Sequence, residues 1–260
     1  MNINNVINLA SKAGQIILES GGETYRVEET IIRICNAYGL VSAESFVTPT
    51  VIMISATDIN GRIISHVKRI KTRTVDLEKI SRVNDLSRNI CPSNLSVDFV
   101  NEELRKISET PRYGIKTTLF FSAVGASFFT LLFGGDLNDF IVSFFIGIII
   151  KWLSILLNNI NINEFFTNAL GGAIAAILAL VSVELHLATN VDKIIIGSIM
   201  LLVPGLAITN AIRDTIAGDL IAGVSRGIEA FLIAIAIAVG SGIILKIWFD
   251  YFGILIGGIL

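Results

Sequence analysis

Four stretches of this chain stay apolar for about the thickness of a bilayer, and a fifth is broken near its end by Pro204-Gly205. A spanning helix needs about 20 mostly apolar residues. That length predicts spans over 115–133, 137–157, 165–183, 194–208 and 228–249, the fourth of them short and interrupted. With 53% apolar residues and a mean hydropathy of +0.73, no soluble fold of 260 residues accommodates this pattern easily. In a bilayer, backbone groups freed by proline and glycine persist only inside protein or beside a watery cavity. Ionisable groups nearby are costly and mark candidate functional sites. The stretch from Met200 to Gly227 combines the break with Thr209, Asn210, Arg213, Asp214 and Asp219.

The charges are unevenly distributed. Residues 1–115 hold 14 Lys/Arg and 13 Asp/Glu, and residues 116–260 hold 6 and 9. This predicts a polar domain over 1–112 followed by a transmembrane domain over 113–260. Helical spacing of apolar residues predicts helices over 4–20 (Ile7, Ala10, Ala13, Ile17) and 25–38 (Val27, Ile31, Ile34), with Gly21-Gly22 stopping the first and Thr24 capping the second. The period then shortens. Residues 45–48, 51–57 and 62–67 read as strands, the last two joined by the turn Asp58-Ile59-Asn60-Gly61. The basic run 68–73 reads as a solvated connector. Two more helices are predicted over 76–89 and 96–108, the second ended by Pro111. The expected fold class is therefore an α-helical integral membrane protein of five transmembrane helices with an N-terminal soluble α+β domain.

Lys and Arg placement sets the expected orientation. Arg105, Lys106, Arg112 and Lys116 precede the first span, Lys151 ends the second, and Arg213 and Arg226 follow the fourth. The opposite side carries Lys193 and Lys246 among acidic residues. The N-terminal domain is expected in the cytoplasm and the C-terminus outside a cell membrane crossed several times. The start Met-Asn-Ile-Asn-Asn shows no secretory signal. The apolar tail 252–260 is too short to cross. Cys35 and Cys91 read as reduced structural residues. No Cys/His spacing suggests a metal, and no cofactor is expected. The near-zero net charge of −2 gives no sign of nucleic-acid binding.

Asn210, Arg213 and Asp214 lie at i, i+3 and i+4, so a helix places them on one face. One reading is a polar substrate site beside a broken helix. Arg213 offers a planar fork for a carboxylate, Thr209 and Asn210 exchange hydrogen bonds, and Asp214 or Asp219 takes a proton or pairs an ammonium. The other reading makes Arg213 and Asp214 a marker of the inner membrane boundary. Pro204-Gly205 reads as the kink or as part of the site. Arg226 and Glu229, at i and i+3, read as an intrahelical or boundary pair, with substrate or proton coupling as the alternative. Gly223-x-x-x-Gly227 and Gly253-x-x-x-Gly257 favour close helix contacts. Gly21-Gly22-Glu23-Thr24, with Arg26 and Glu28, reads as a capped turn between two helices. There is no P-loop, no HExxH and no GxSxG, so neither an ATP-driven pump nor an enzyme is expected.

Gly21 to Thr30 (GGETYRVEET) and Pro204 to Asp214 (PGLAITNAIRD) resemble the two signatures of the threonine/serine exporter family, in its N-terminal-domain type. The resemblance covers nearly the whole chain. It implies either a long form with further spans or a short form working with a separate small membrane protein, and 260 residues resembles the short form. Relatives of that form are associated with succinate or with threonine and serine. The resemblance thus implies a secondary exporter subunit for a small carboxylate-bearing metabolite, partnered by a second small membrane subunit, by further copies of itself, or by both. The rival expectation is a membrane-anchored sensor or scaffold acting through the cytoplasmic domain.

Overall fold

The computed structural model describes residues 3–111 and 113–251. The chain divides into two compact units, residues 1–111 with 205–229, and residues 112–204 with 230–260. Residues 205–229, expected within the transmembrane half, thus group with the N-terminal residues.

In the first unit α1 (Ile3–Glu19) is followed by α2 (Thr24–Ala37), strands β1 (Ser42–Thr48), β2 (Val51–Thr57) and β3 (Ile63–Arg69), then α3 (Leu77–Asn89) and α4 (Val97–Glu109). The strands form an antiparallel sheet in the order β1-β2-β3, with Phe46, Met53 and Val67 in register across it. Alternation sets the two faces: Ile52, Ile54 and Ala56 are buried, whereas Met53 is exposed. Ile7, Ile17, Val27, Ile31, Ile52 and Leu104 share one core. α1 is its centre, packed against α2, α3, α4, β2 and β3. Two side-chain caps fix the later helices: Asp76 accepts from Lys79 N, and Ser96 from Phe99 N. Gly21 ends α1 at φ +86°, with Thr74 O 2.9 Å from where a Cβ would stand. Conformation and space both require glycine there.

The same unit contains α9 (Gly205–Ala217) and the first turns of α10 (Leu220–Tyr251). Gly218, at φ +97°, turns the chain between them. α10 passes close to α9 at Gly223, where a Cβ would lie 2.9 Å from Ala211 O. This gives the first expected small-residue motif its contact. The second, Gly253 to Gly257, lies outside the described residues, as does the tail 252–260.

The second unit holds α5 (Ile115–Leu132), α6 (Leu137–Asn159), α7 (Glu164–Glu184), α8 (Val191–Ile199) and the remainder of α10. α6 opens with a reciprocal capping box between Asp136 and Asp139. Asp139 Oδ1 accepts from Thr189 N and Asn190 N, and Oδ2, which also serves the capping box, accepts from Asn190 Nδ2, so a fully buried carboxylate ties the α7–α8 loop to α6. The run Ala169 to Ala173 lets α7 meet α10 backbone to backbone. A Cβ on Gly172 would stand 2.6 Å from Ile237 O, and one on Gly240 would strike Ala169 O.

Among the described residues four helices are long and apolar enough to cross a membrane: 115–132, 137–159, 164–184 and 220–251. The expected fourth span, 194–208, is not one helix. α8 stops at Ile199 after nine residues, a length of about 14 Å. Turns follow, and α9 begins only at Gly205. Proline at 204 lacks a donor N–H and pushes Val203 out of the helical region, so the ladder breaks there. The expected fifth span begins earlier than 228, at Leu220. Its 32 residues extend about 48 Å, longer than the roughly 30 Å of a hydrocarbon core. Residues 230–251 alone cover about 33 Å.

Candidate functional site

The turn between α1 and α2 is gripped by side chains from α9 and α10. Asn210 Nδ2 donates to Gly21 O at 2.8 Å. Arg226 Nη2 donates to Gly22 O at 2.7 Å. Two carbonyls of the turn thus receive donors from far along the chain. The next two residues supply the polar chemistry. The Glu23 carboxylate sits between two guanidiniums, with Arg213 Nη1 at 2.6 Å and Arg26 Nε at 2.8 Å. Thr24 gives its backbone N–H (3.2 Å) and its hydroxyl (2.8 Å) to Asp214 Oδ1, and Thr24 Oγ1 also lies 3.2 Å from Asp219 Oδ2.

Thr24 was expected to cap α2. Instead Glu23 occupies the N-cap position, and no side-chain cap bond forms. The Thr24 hydroxyl is spent on Asp214, a charged acceptor that gives a stronger bond than a backbone cap.

Asn210, Arg213 and Asp214 share one face of α9, as their spacing requires, and that face meets the turn. Asp219 follows from the α9–α10 connection and Arg226 from the first turns of α10. Arg226 Nε faces Asp214 Oδ2 at 3.2 Å. The expected Arg226–Glu229 pair does not form. Glu229 instead accepts both bonds from Arg73 Nη2, each at 2.9 Å, while Arg226 turns to Asp214. A buried guanidinium is better compensated by a buried carboxylate than by one that is 40% exposed. Thr209 does not join the cluster: its hydroxyl returns to Gly205 O within α9. Gly205 opens α9 with open space around it, and Pro204 closes the break in the other unit.

The electrostatics follow from burial. Asp214 is fully buried, and Arg226 is 4% exposed. Burial raises the Asp214 carboxyl above its ordinary value and Asp219 pushes the same way, against the bonds from Thr24 and the charge of Arg226. Burial raises Glu28 too, partly offset by the Val47 N–H, with Asp219 and Asp214 adding to the rise. Glu23 behaves oppositely. Burial would raise it, but Arg26, its own backbone N–H and Arg213 together bring it down to about 2. Arg213 remains the accessible cation, its side chain 55% exposed. Among the described residues its Nε and Nη2 make no hydrogen bond, which leaves half of its fork open. No group of His, Cys, Asp or Glu among them is arranged to hold a metal.

Sequence reading did not anticipate Glu23 and Thr24 as partners of α9, or Arg73 as an ion-pair residue. The polar run after Gly21-Gly22 was the available signal for the first two. Nothing distinguished Arg73 within a basic run that reads as solvated.

Comparison with known proteins now bears on this arrangement. Residues 8–248 match the model of a family described as "Putative threonine/serine exporter". The "Probable threonine/serine exporter" of Mycobacterium tuberculosis is 25% identical over 248 residues, covering 93% of this chain and 46% of that protein. The "Threonine/serine exporter" of Corynebacterium glutamicum is 24% identical, covering 92% of this chain and 50% of that protein. This chain thus spans about half the length of these two relatives. The "Probable succinate transporter subunit YjjP" of Escherichia coli is 24% identical, with 94% of both chains covered. No solved structure matches.

Proposed function

Because this chain belongs to the threonine/serine exporter family, we propose that it is a subunit of a secondary exporter of small carboxylate-bearing metabolites, threonine and serine or a dicarboxylate such as succinate. The observation that carries this reading is the meeting of residues 21–24 with Asn210, Arg213 and Asp214 in one polar cluster with an arginine fork half open beside it. A carboxylate is the planar acceptor that such a fork suits. In this reading Arg213 binds the substrate carboxylate. Asn210 and Asp214 hold the face that presents it. Pro204 and Gly205 provide the break, with Thr209 on the first turn after it. Asp219, Arg226 and Glu229 are the candidate coupling residues.

The membrane-embedded half supports the same reading. α8 stops after nine residues, and discontinuous helices are a feature of secondary transporters. The Lys and Arg flanking these segments favour a cytoplasmic position for the N-terminal unit in this reading. Near-complete coverage of a relative named as a subunit supports a small membrane partner for this chain. Loaded proteoliposomes test the proposal. Efflux of labelled threonine, serine or succinate that requires this chain, alone or with the partner, supports it. A sensor or scaffold gives no flux in either preparation.

A further inference from the structure

The Thr24 hydroxyl stands 2.8 Å from Asp214 Oδ1 and 3.2 Å from Asp219 Oδ2. A hydroxyl has one proton to donate and two lone pairs with which to accept. An ionised carboxylate only accepts. If both acids were ionised, Thr24 would satisfy one and present bare oxygen to the other. The arrangement becomes a continuous hydrogen-bonded chain only when one acid carries a proton. That acid donates to Thr24, and Thr24 donates to the other.

Two further observations point to the same missing proton. Asp214 Oδ2 and Arg226 Nε face each other at 3.2 Å, yet each is buried without a hydrogen bond. Arg226 directs Nη2 to Gly22 O instead, so the buried carboxylate is only partly compensated. The charges around the cluster also fail to balance. α2 presents Glu23, Arg26 and Glu28, the segment after β3 presents Arg73, α9 presents Arg213 and Asp214, and Asp219, Arg226 and Glu229 follow. Five carboxylates oppose four guanidiniums, and Glu23 alone takes two of the four.

We propose that Asp214, Thr24 and Asp219 form a proton-binding site that holds one shared proton at neutral pH while the Gly21–Thr24 turn is docked on α9. The ligand is the proton itself. Rotation of the Thr24 hydroxyl reverses the direction of the chain, moving the formal position of the proton between the acids. Burial, which raises the Asp214 carboxyl, acts in the same direction. The docked state binds the proton, so docking is favoured at lower pH and weakens as pH rises. Removing the proton puts two anions on one hydroxyl and one misaligned guanidinium, which releases the turn from α9. The site stands whatever the chain exports.

Infrared spectroscopy of the full-length protein in lipid tests this directly, because a protonated carboxylic acid has a carbonyl stretch separate from the carboxylate bands. The native protein should show that band at neutral pH and lose it on alkalinisation. Asp219→Asn should abolish it, since an amide donates to Thr24 as the protonated acid would, and should leave the turn docked at high pH. Thr24→Val should shift the band, and Glu28→Gln should leave it in place. Hydrogen exchange of residues 21–27 reports docking in each variant. Absence of the band from the native protein at neutral pH overturns the proposal even if no variant folds. A band that survives Asp219→Asn, or that disappears with Glu28→Gln alone, overturns it as well.

Discussion

Arg226→Leu removes the cation from the most deeply buried ion pair of the cluster. Its partner Asp214 is fully buried, and Arg226 itself is 4% exposed. The variant leaves a carboxylate without countercharge and Gly22 O without the donor now at 2.7 Å. Leaving one member of a buried pair uncompensated costs about 3–5 kcal/mol. The cost falls on the docking of the α1–α2 turn against α9, so a local opening should report it. At 1.4 kcal/mol per tenfold, amide exchange across residues 21–27 should accelerate by roughly a hundred- to a few-thousand-fold. The Thr24 amide, now donated to Asp214, should be among the most affected. Arg226→Leu with Asp214→Leu removes both charges, and most of the protection should return, because replacing a buried pair by apolar groups is often neutral. The assay is hydrogen exchange by mass spectrometry on the full chain, with peptides from α4 as an internal reference. Native-like exchange in Arg226→Leu, or equal exchange in the single and double variants, would refute the assignment of this pair as the anchor of the turn.

The Glu23 clamp has a defined pH window. Its carboxyl lies at about 2 against an ordinary 4.5, so its stabilisation is complete above about pH 4.5 and lost as pH falls through about 2. Glu23→Gln should therefore lower thermal stability by the same amount from about pH 5 to about pH 8, and a difference that shrinks across that range contradicts the clamp. Gly172→Ala places a methyl 2.6 Å from Ile237 O and should destabilise the membrane unit by about 1–3 kcal/mol. Gly242→Ala, with nothing within 4 Å, should not, as thermal unfolding in detergent will read. For topology, cysteines at Asn138 and Leu187 should react with an impermeant thiol reagent added outside cells while one at Asn60 does not, and the reverse pattern overturns the orientation.

Local pattern carried much of the fold. The apolar spacing of α1 and α2, the alternation of the strands and the four long apolar runs are properties of short windows, and the observed elements fall within a few residues of the expected ones except at the start of α10, which lies at Leu220 rather than 228. Gly21 was legible for the same reason, since a helix stop needs only the neighbouring backbone. The face shared by Asn210, Arg213 and Asp214 was legible from helical spacing. What that face meets was not. Thr24 and Asp214 are separated by 190 residues, and local chemistry offered Thr24 an adequate alternative as a cap. Arg226 and Glu229 failed similarly: i, i+3 spacing permits a pair, but Asp214 and Arg73 compete for the same groups from distant segments. The grouping of 205–229 with the N-terminal residues was hidden because α9 looks like the end of a broken span. Its polar face shows its destination only once the turn at 21–24 is set against it.

The most direct test of the central claim is efflux through Arg213→Lys. Lysine keeps the charge and the ion pair with Glu23 but loses the open half of the planar fork. Efflux from proteoliposomes should be measured across a range of internal substrate concentrations, with equal amounts of native and variant protein inserted. A charge-assisted hydrogen bond is worth about 1.5–3 kcal/mol, so the half-saturating concentration should rise by roughly ten- to a hundred-fold. Superimposable native and variant curves would show that Arg213 anchors the structure and that the substrate carboxylate is bound elsewhere.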